Sequence, residues 1–478
     1  MKLDRKVLEK EYPNYTGCIS SAFEAGQHHV FRWWDEISPL EKKHLLEELD
    51  TIDFQLIHRL FKDNLHKTSR ILQQGLIPPR SISIPKNTYE VELAQTAKHL
   101  GEDCLRKKEV AILTVAGGHG TRLGTNGPKG LLPIAPISSK SIFQLHAEKI
   151  RAVQKKYHTR IPWYIMTSET NDFVTKDFFR SHHFFGLDIH QICFFTQGML
   201  PVVDLHGKLL MNSKSNIVMS PNGHGGVFTA LQEKGIIRDM KNRGIKNIFY
   251  HQVDNVLIKI ADPIFIGYHV RDKAEMSFKV VRKCHPEEKV GVVVSINGHL
   301  HMVEYTELRH EDMYAKNEDG TLKYNAGNIA VHMIHIDFLE KVCQTGNALP
   351  YHGALKKVPY VDKNGDRVNP EENNSIKFES FIFDILKLVK KSVVMEVPRE
   401  DEFSPVKNLE GENSPDTAKQ DMINQFGRWL LNAGIAIPTD YHGNVIGLIE
   451  IDPCFALDAE ELKKKVNKHI RFHGVLDL

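Results

Sequence analysis

The residues best suited to chemistry lie in one stretch, Ala116-Gly117-Gly118-His119-Gly120-Thr121-Arg122-Leu123-Gly124-Thr125-Asn126-Gly127-Pro128-Lys129-Gly130. Six of these fifteen residues are glycine. Glycine allows positive φ and close backbone approach, so successive N–H groups can wrap an anion. Arg122 can grip phosphate oxygens with its planar fork, and Lys129 can act as a compact point charge. The spacing sets this stretch apart from two better-known phosphate loops. A P-loop needs G-K-[ST], and here Gly130 follows Lys129. A dinucleotide fingerprint needs G-x-G-x-x-G opening a helix. Here Gly118, Gly120 and Gly124 are spaced G-x-G-x-x-x-G, and Pro128 interrupts before a helix can start. A dinucleotide-dependent dehydrogenase is therefore disfavoured. A merely flexible turn would leave the paired Arg122 and Lys129 unexplained, so the stretch reads as a phosphate-gripping loop.

Other candidates are less specific by themselves. Asp254 closes the apolar run Ile248–Val253, where a carboxylate beside phosphates could hold Mg²⁺ or simply cap the next turn. Gln197 offers a donor and an acceptor, as uracil recognition requires. Glu304 reads as an ordinary exposed strand residue. Phe381 and Phe383 suit a pocket or a core equally well. Lys407 follows Asp401 and Glu402, which a solvated pair would explain. None of the 26 histidines forms H-E-x-x-H or a Cys/His cluster, so surface and pocket positions are expected rather than metal ligation.

These residues need elements to hold them. At about 150 residues per domain, 478 residues suggest about three domains. The chain is 41% hydrophobic and 26% charged, which sets aside disordered, collagenous and low-complexity classes. Sixty-two basic and sixty acidic residues leave a net charge of +2, too little to draw the chain onto nucleic acid or an anionic membrane. Six scattered cysteines without a C-x-x-C pair argue against a disulfide framework and fit a reducing cytoplasm. The start Met1–Lys6 lacks an apolar follow-on, so no secretory signal is expected. The runs Val110–Ala116 and Val290–Ile296 are too short to span a membrane.

The first hundred residues read as helical. Ser38-Pro39-Leu40-Glu41 has the residues of a capping box, and Leu45, Leu46, Leu49, Ile52, Leu56 and Leu60 recur at helical spacing behind it. A helix packed on the main domain is the expectation there, with a linker-like crossing at 77–85. From residue 104, short apolar runs at 110–115, 161–166, 192–195, 248–253 and 290–296 alternate with helical stretches such as 143–157. That rhythm predicts a parallel sheet covered on both faces, with ligands beyond the strands' carboxyl ends. Residues 408–415 read as an exposed loop and 445–451 as a strand.

The glycine-rich stretch resembles the G-G-x-G-T-R-L-G-x-x-x-P-K-G signature of the UDP-sugar pyrophosphorylases, and in particular the UDP-N-acetylglucosamine pyrophosphorylase type. The resemblance continues in order through Gln197–Pro201, Pro221–Gly226, Val253–Asn255, Asn325–Ala330, Lys377–Asp384 and Arg399–Asn408. It implies an α/β fold, a Rossmann-like mixed, mostly parallel sheet of nucleotidyltransferase type A, with a helical N-terminal section and a small C-terminal lobe. The corresponding boundaries are 1–103, 104–400 and 401–478. It further implies that UTP and N-acetylglucosamine 1-phosphate give UDP-N-acetylglucosamine and pyrophosphate with Mg²⁺, Mn²⁺ being an alternative.

By the same resemblance Ala116, Gly117, Gly118, Gly120, Thr121, Gln197, Gly223 and His224 would bind nucleotide. Arg122, Lys129 and Lys407 would serve the phosphates, and Asp254 the metal. Glu304, Asn328, Phe381 and Phe383 would take the sugar. Two positions depart from the pattern, with His119 in place of the usual Gln and His224 in place of the usual Asn. The C-terminal lobe is also short, so a monomer or weak homo-oligomer is expected. Alternatives are the same chemistry on N-acetylgalactosamine 1-phosphate or glucose 1-phosphate, and a non-catalytic UDP-sugar-binding regulator. The regulator would be expected to lack Lys129, Asp254 or Lys407, and all three are present.

Overall fold

A computed structural model describes residues 4–65, 75–118, 120–124, 127–344 and 349–478. The chain divides into two compact units. The larger comprises Leu72–Gln197, Val227–Asn347 and Ile385–Leu478, and the smaller comprises Met1–Ile71, Gly198–Gly226 and Ala348–Asp384. The units are thus interleaved along the chain and do not follow the three consecutive stretches expected at 1–103, 104–400 and 401–478. The physical reason is apolar pairing. The N-terminal helices bury their stripe against strand segments drawn from two distant parts of the sequence.

The larger unit is built on a nine-stranded sheet. Its strands are β1 (Val110–Val115), β2 (Trp163–Thr167), β3 (Ile192–Thr196), β4 (Asn247–Gln252), β5 (Met276–Arg282), β6 (Val292–Ile296), β7 (His299–Val303), β8 (Ala326–His335) and β9 (Ser392–Glu396). The order is β7-β6-β8-β4-β1-β2-β3, with β5 also paired to β8 and β9 to β5. Strands β3, β2, β1 and β4 run parallel, as their continuous apolar sequences predict. Strand β8 runs antiparallel to β4, β5 and β6, which makes the sheet mixed.

The sequence rhythm did not disclose β5, β7, β8 or β9. Strand β5 hides because its centre is Lys279, a residue type almost never buried unless paired. Lys279 is fully buried, and its Nζ is taken by Asp262 Oδ2 at 2.8 Å and by Glu402. Strand β8 hides because it is broken by a bulge where the pairing of β5 shifts between Lys279 and Val280. Ala330 there has φ 55°.

Three long helices flank this sheet in sequence, α1 (Thr88–Arg106), α2 (Ile142–Tyr157) and α3 (Pro415–Asn432). Helix α3 begins with a capping box in which Ser414 and Thr417 exchange hydrogen bonds, directly after the loop expected at 408–415. The crossing at 77–85 is pinned at two points. Ile77 exchanges backbone hydrogen bonds with Ser295 of β6, and Ile82 with Val394 and Glu396 of β9. In the C-terminal part, Leu448–Glu450 pairs in parallel with Val475–Asp477.

In the smaller unit the expected helical stretch is two helices, Pro39–Asp50 and Phe54–Leu65. The capping box is formed: Ser38 N donates to Glu41 Oε2 at 2.8 Å, and Glu41 N donates to Ser38 Oγ at 3.3 Å. Leu45, Leu46 and Leu49 are fully buried in a core shared with Val203, Leu209, Met211, Ile217, Ile376 and Phe378. Tyr351–Lys356 and Ser375–Ser380 form the main antiparallel pair of this unit.

Candidate active site

The loop from Ala116 to Gly130 leaves the carboxyl end of β1 in the larger unit. Ala116 N donates to Met166 O at 2.8 Å and Asn171 Nδ2 donates to Ala116 O at 3.0 Å, so the loop starts from a fixed point. Gly120 N donates to Gly127 O at 2.9 Å, which draws the loop closed. Gly124 has φ +68°, a left-handed turn that glycine adopts without a Cβ penalty. Gly130 lies against Phe143, where a methyl group would come within 2.1 Å of the ring. Arg122 is exposed on a short 3₁₀ turn begun by Thr121. His119 and the side chain of Thr121 lie outside the described residues.

Lys129 is half-buried and turns toward Asp254, which follows the parallel neighbour β4. Its Nζ reaches Asp254 Oδ2 and the carbonyl of Val406, each at 3.4 Å. The first is a long ion pair, leaving room for other anions around the ammonium. Asp254 is held from behind, since its own carbonyl accepts from Val406 N at 2.9 Å. Asn255, which the sequence reading passed over, fastens the two segments together. Its Nδ2 donates to Glu402 O at 2.7 Å and its Oδ1 accepts from Ser404 N at 3.0 Å. Asp254 and the segment leading to Lys407 are therefore one clamped piece, although about 150 residues separate them.

Lys407 itself is half-buried, its N donating to Asn413 O at 2.7 Å. The acids before it in sequence do not neutralise it. Glu402 is buried against Lys279, and Asp401 pairs with Arg428 at 2.9 Å. Glu304 is near enough to Lys407 to feel its charge. Burial pushes the Glu304 carboxyl upward, with Glu307 adding to the rise and Lys407 opposing it. Glu304 is thus half-buried, in contrast to the exposed strand position expected. Its Oε1 lies 3.4 Å from where a methyl group on Gly291 would sit, and the Gly291 carbonyl accepts from Asn328 N at 2.8 Å. Asn328 stands at the β8 bulge, with its Oδ1 accepting from Ala330 N at 3.1 Å. Bulges re-aim side chains in this way, and often beside active sites.

Gln197 is buried just beyond β3, and a methyl group on Gly117 would come within 2.9 Å of its amide nitrogen. A larger residue there would require the Gln197 amide to shift. Beneath the loop, Trp163 Nε1 donates to Thr114 Oγ1 at 2.7 Å, and Thr114 Oγ1 meets His251 Nε2 at 2.8 Å. Burial lowers His251 to about 4, so the ring is neutral and serves as a rigid support. Among the described residues, no three His, Cys, Asp or Glu groups cluster as a ready-made metal cage.

The remaining four candidates lie in the smaller unit and meet one another there. Gly223 has φ +84°, and a methyl group on it would lie 2.4 Å from Ser380 O. His224 Nδ1 accepts from Ile382 N at 3.2 Å, and its ring lies 5.4 Å from Phe381 and 5.1 Å from Phe383. Burial lowers His224 to about 4, with Asp384 opposing. Phe381 also stacks at 4.9 Å on His352, which meets Asp384 Oδ2 at 2.8 Å.

The sequence of residues 54–437 matches the UDPGP family, described as UTP–glucose-1-phosphate uridylyltransferase. The chain belongs to this family. It is 38% identical over 437 residues to a UDP-N-acetylglucosamine pyrophosphorylase of Saccharomyces cerevisiae, covering 87% of this chain and 91% of that one. It is also 38% identical over 439 residues to the human UDP-N-acetylhexosamine pyrophosphorylase-like protein 1, covering 88% and 86%. Among solved structures, the UDP-N-acetylglucosamine pyrophosphorylase of Trypanosoma brucei superposes with a TM-score of 0.83 at 27% identity, covering 97% of this chain and 98% of that one. The α/β fold with its mixed, mostly parallel central sheet is thus that of a uridylyltransferase. Among the described residues, no helix is long and apolar enough to cross a membrane.

Proposed function

We propose that this uridylyltransferase joins UTP and N-acetylglucosamine 1-phosphate into UDP-N-acetylglucosamine, releasing pyrophosphate. One observation carries the reading: Lys129 and Asp254 face each other across the ends of parallel strands, below a glycine loop, and are clamped to the segment that bears Lys407. The reaction is an in-line displacement at the α-phosphorus of UTP by the sugar phosphate. No protein nucleophile is required. Placement and charge neutralisation supply the rate, since both reactants are anions.

In this reading Gly120, Thr121 and Arg122 grip the triphosphate, and Gly118 offers backbone to the uridine. Lys129 faces the α-phosphate and stabilises the charge that builds there. Lys407 holds the attacking sugar phosphate. Ala116, Gly117 and Gln197 take the uridine, Gln197 through its paired donor and acceptor. Asn328 and Glu304 hydrogen-bond the sugar, Glu304 through its carboxylate oxygens. For the smaller unit, Gly223 and His224 are assigned to nucleotide, and Phe381 and Phe383 to the acetamido methyl.

The residues present fit a Mg²⁺ ion bound with substrate. Asp254 supplies one carboxylate that is only loosely engaged by Lys129, and Mg²⁺ commonly takes one or two carboxylates plus phosphate oxygens. Bound there, Mg²⁺ or Mn²⁺ would neutralise triphosphate charge. A cytoplasmic location and a monomer or weak homo-oligomer complete the proposal. It is supported by free cysteines throughout the described chain.

Pyrophosphate release from UTP and Mg²⁺ tests it with N-acetylglucosamine 1-phosphate, N-acetylgalactosamine 1-phosphate and glucose 1-phosphate in parallel. The first substrate is expected to be fastest. Equal turnover of glucose 1-phosphate would remove the sugar assignment. Tight UDP-sugar binding without any release would replace the enzyme by a regulator.

A further inference from the structure

Away from the glycine-rich loop, the larger unit holds a cavity of about 530 Å³ that is partly open to solvent. Small-molecule sites occupy roughly 300–1,000 Å³. Its walls include Leu145 and Val153 of α2, Val256 and Ile258, and Phe426 and Trp429 of α3. None of Arg122, Lys129, Asp254 or Lys407 lines it.

Four lysines do, namely Lys98, Lys149, Lys156 and Lys259. Three of them have carboxylate partners. Lys98 meets Glu460 at 3.9 Å, Lys156 meets Asp458 at 3.6 Å, and Lys259 meets Asp262 at 3.7 Å. Lys149 differs. Its Nζ donates to Val256 O at 2.6 Å and Ile258 O at 3.0 Å, and among the described residues it forms no ion pair. Two carbonyls occupy two of the three N–H groups of an ammonium, leaving one donor for the cavity. Glu402 acts on this lysine from farther away, but its carboxylate is already engaged by Lys279. Burial lowers Lys149 to about 7, the sign of a cation held without a counter-charge.

We propose that this cavity binds an amphipathic monocarboxylate, with the carboxylate at Lys149 Nζ and the apolar tail along α2 and α3. The charge inventory selects the class. Lys149 is half-buried and the one lysine of the lining with no ion pair among the described residues, and one unpaired cation calls for a single negative charge. Seven carboxylates also line the cavity, each already engaged by a lysine, an arginine or backbone and hydroxyl donors, as Glu402 is by Lys279 and Glu450 by Ser138, and together they would repel a phosphate-rich dianion. The apolar walls account for the tail. Because the phosphate-loop residues do not line it, the site stands independently of the uridylyl-transfer reading.

The test is calorimetric titration of the full chain with decanoate, decanol and decylamine, three headgroups on one tail. Decanoate should bind ~10-fold or more tightly than decanol, the gain of a charge-assisted hydrogen bond. Decylamine should bind more weakly than decanol. Lys149→Met should bring decanoate down to the affinity of decanol. Equal affinity for all three headgroups, no binding of decanoate, or unchanged decanoate affinity in a folded Lys149→Met chain would each overturn the proposal. The headgroup comparison uses the unaltered chain and decides the matter even if the variant does not fold.

Discussion

Two loops of this protein are rich in glycine for different reasons. In the loop at 116–130, nothing described lies within 4 Å of where a methyl group on Gly118 or Gly127 would sit. In the loop Gly223–Gly226 of the smaller unit, every glycine is already in contact with protein. A methyl group would lie 2.4 Å from Ser380 O at Gly223, 2.7 Å from Ser380 C at Gly225 and 1.9 Å from Asn222 Oδ1 at Gly226. The first loop keeps space for something else to approach. The second uses its missing side chains to seat itself against the protein. Glycine therefore leaves open space at Gly118 and Gly127 and serves packing at Gly223–Gly226, as it also does at Gly130 of the first loop.

The largest effect should come from the charge below the open loop. Lys129→Met is expected to lower uridylyl transfer by about 10²- to 10³-fold, as loss of a preorganised charge stabiliser does, with the melting temperature almost unchanged. Pyrophosphate release and thermal denaturation would measure this. A loss under threefold would end the contrast, since the open loop would then serve no anion.

Next is the packed loop. Gly223→Ala combines a left-handed φ of +84° with a clash on backbone, and should cost about 2–5 kcal/mol in denaturant unfolding. A cost under about 0.5 kcal/mol would mean that this loop is as free as the first.

A smaller effect sharpens the comparison from the other side. Gly118→Ala should leave stability within about 0.5 kcal/mol and yet raise the KM for UTP by ~10-fold, because a methyl group obstructs backbone approach. Destabilisation without a change in KM would assign Gly118 to packing.

The smallest effect concerns His224. Its ordinary value near 6.5 falls to about 4 in the fold. The unfolded chain therefore binds more protons between those values, and the contribution of this residue to stability is complete above about 6.5 and lost as pH falls toward 4. The ring is partly open to solvent, so about 1 kcal/mol is expected. His224→Asn should flatten the stability profile by that amount in this window. Other buried histidines titrate likewise, so the difference between the two profiles is the quantity to measure. Parallel profiles would show that His224 carries no such penalty.

Strands β1 to β4 were legible because each is a short apolar run, and runs of that kind suit a parallel sheet buried on both faces. The position of the glycine-rich loop, directly after β1, was legible because its glycines follow a short apolar run. Lys407 was legible only through resemblance, since the acids beside it in sequence suggested a neutral pair. The fold directs those acids to Lys279 and Arg428 instead. Asn255 gave a weaker signal still, as an amide beside a carboxylate. Its two hydrogen bonds to residues 402 and 404 exist only once distant strand ends meet.

By itself the sequence determined the α/β class and the family to which the chain belongs, and it singled out the glycine-rich loop as the candidate phosphate site. Those properties reside in local periodicity and in side-chain type. Tertiary structure alone decided the interleaving of the two units, the burial of Lys279 in β5, the clamp between Asp254 and the Lys407 segment, and the setting of Lys149, which has no ion pair among the described residues. Each depends on which apolar faces and which charges meet across long stretches of chain. Burial then sets the strength of every charge, and burial has no signature in a single residue's neighbours along the sequence.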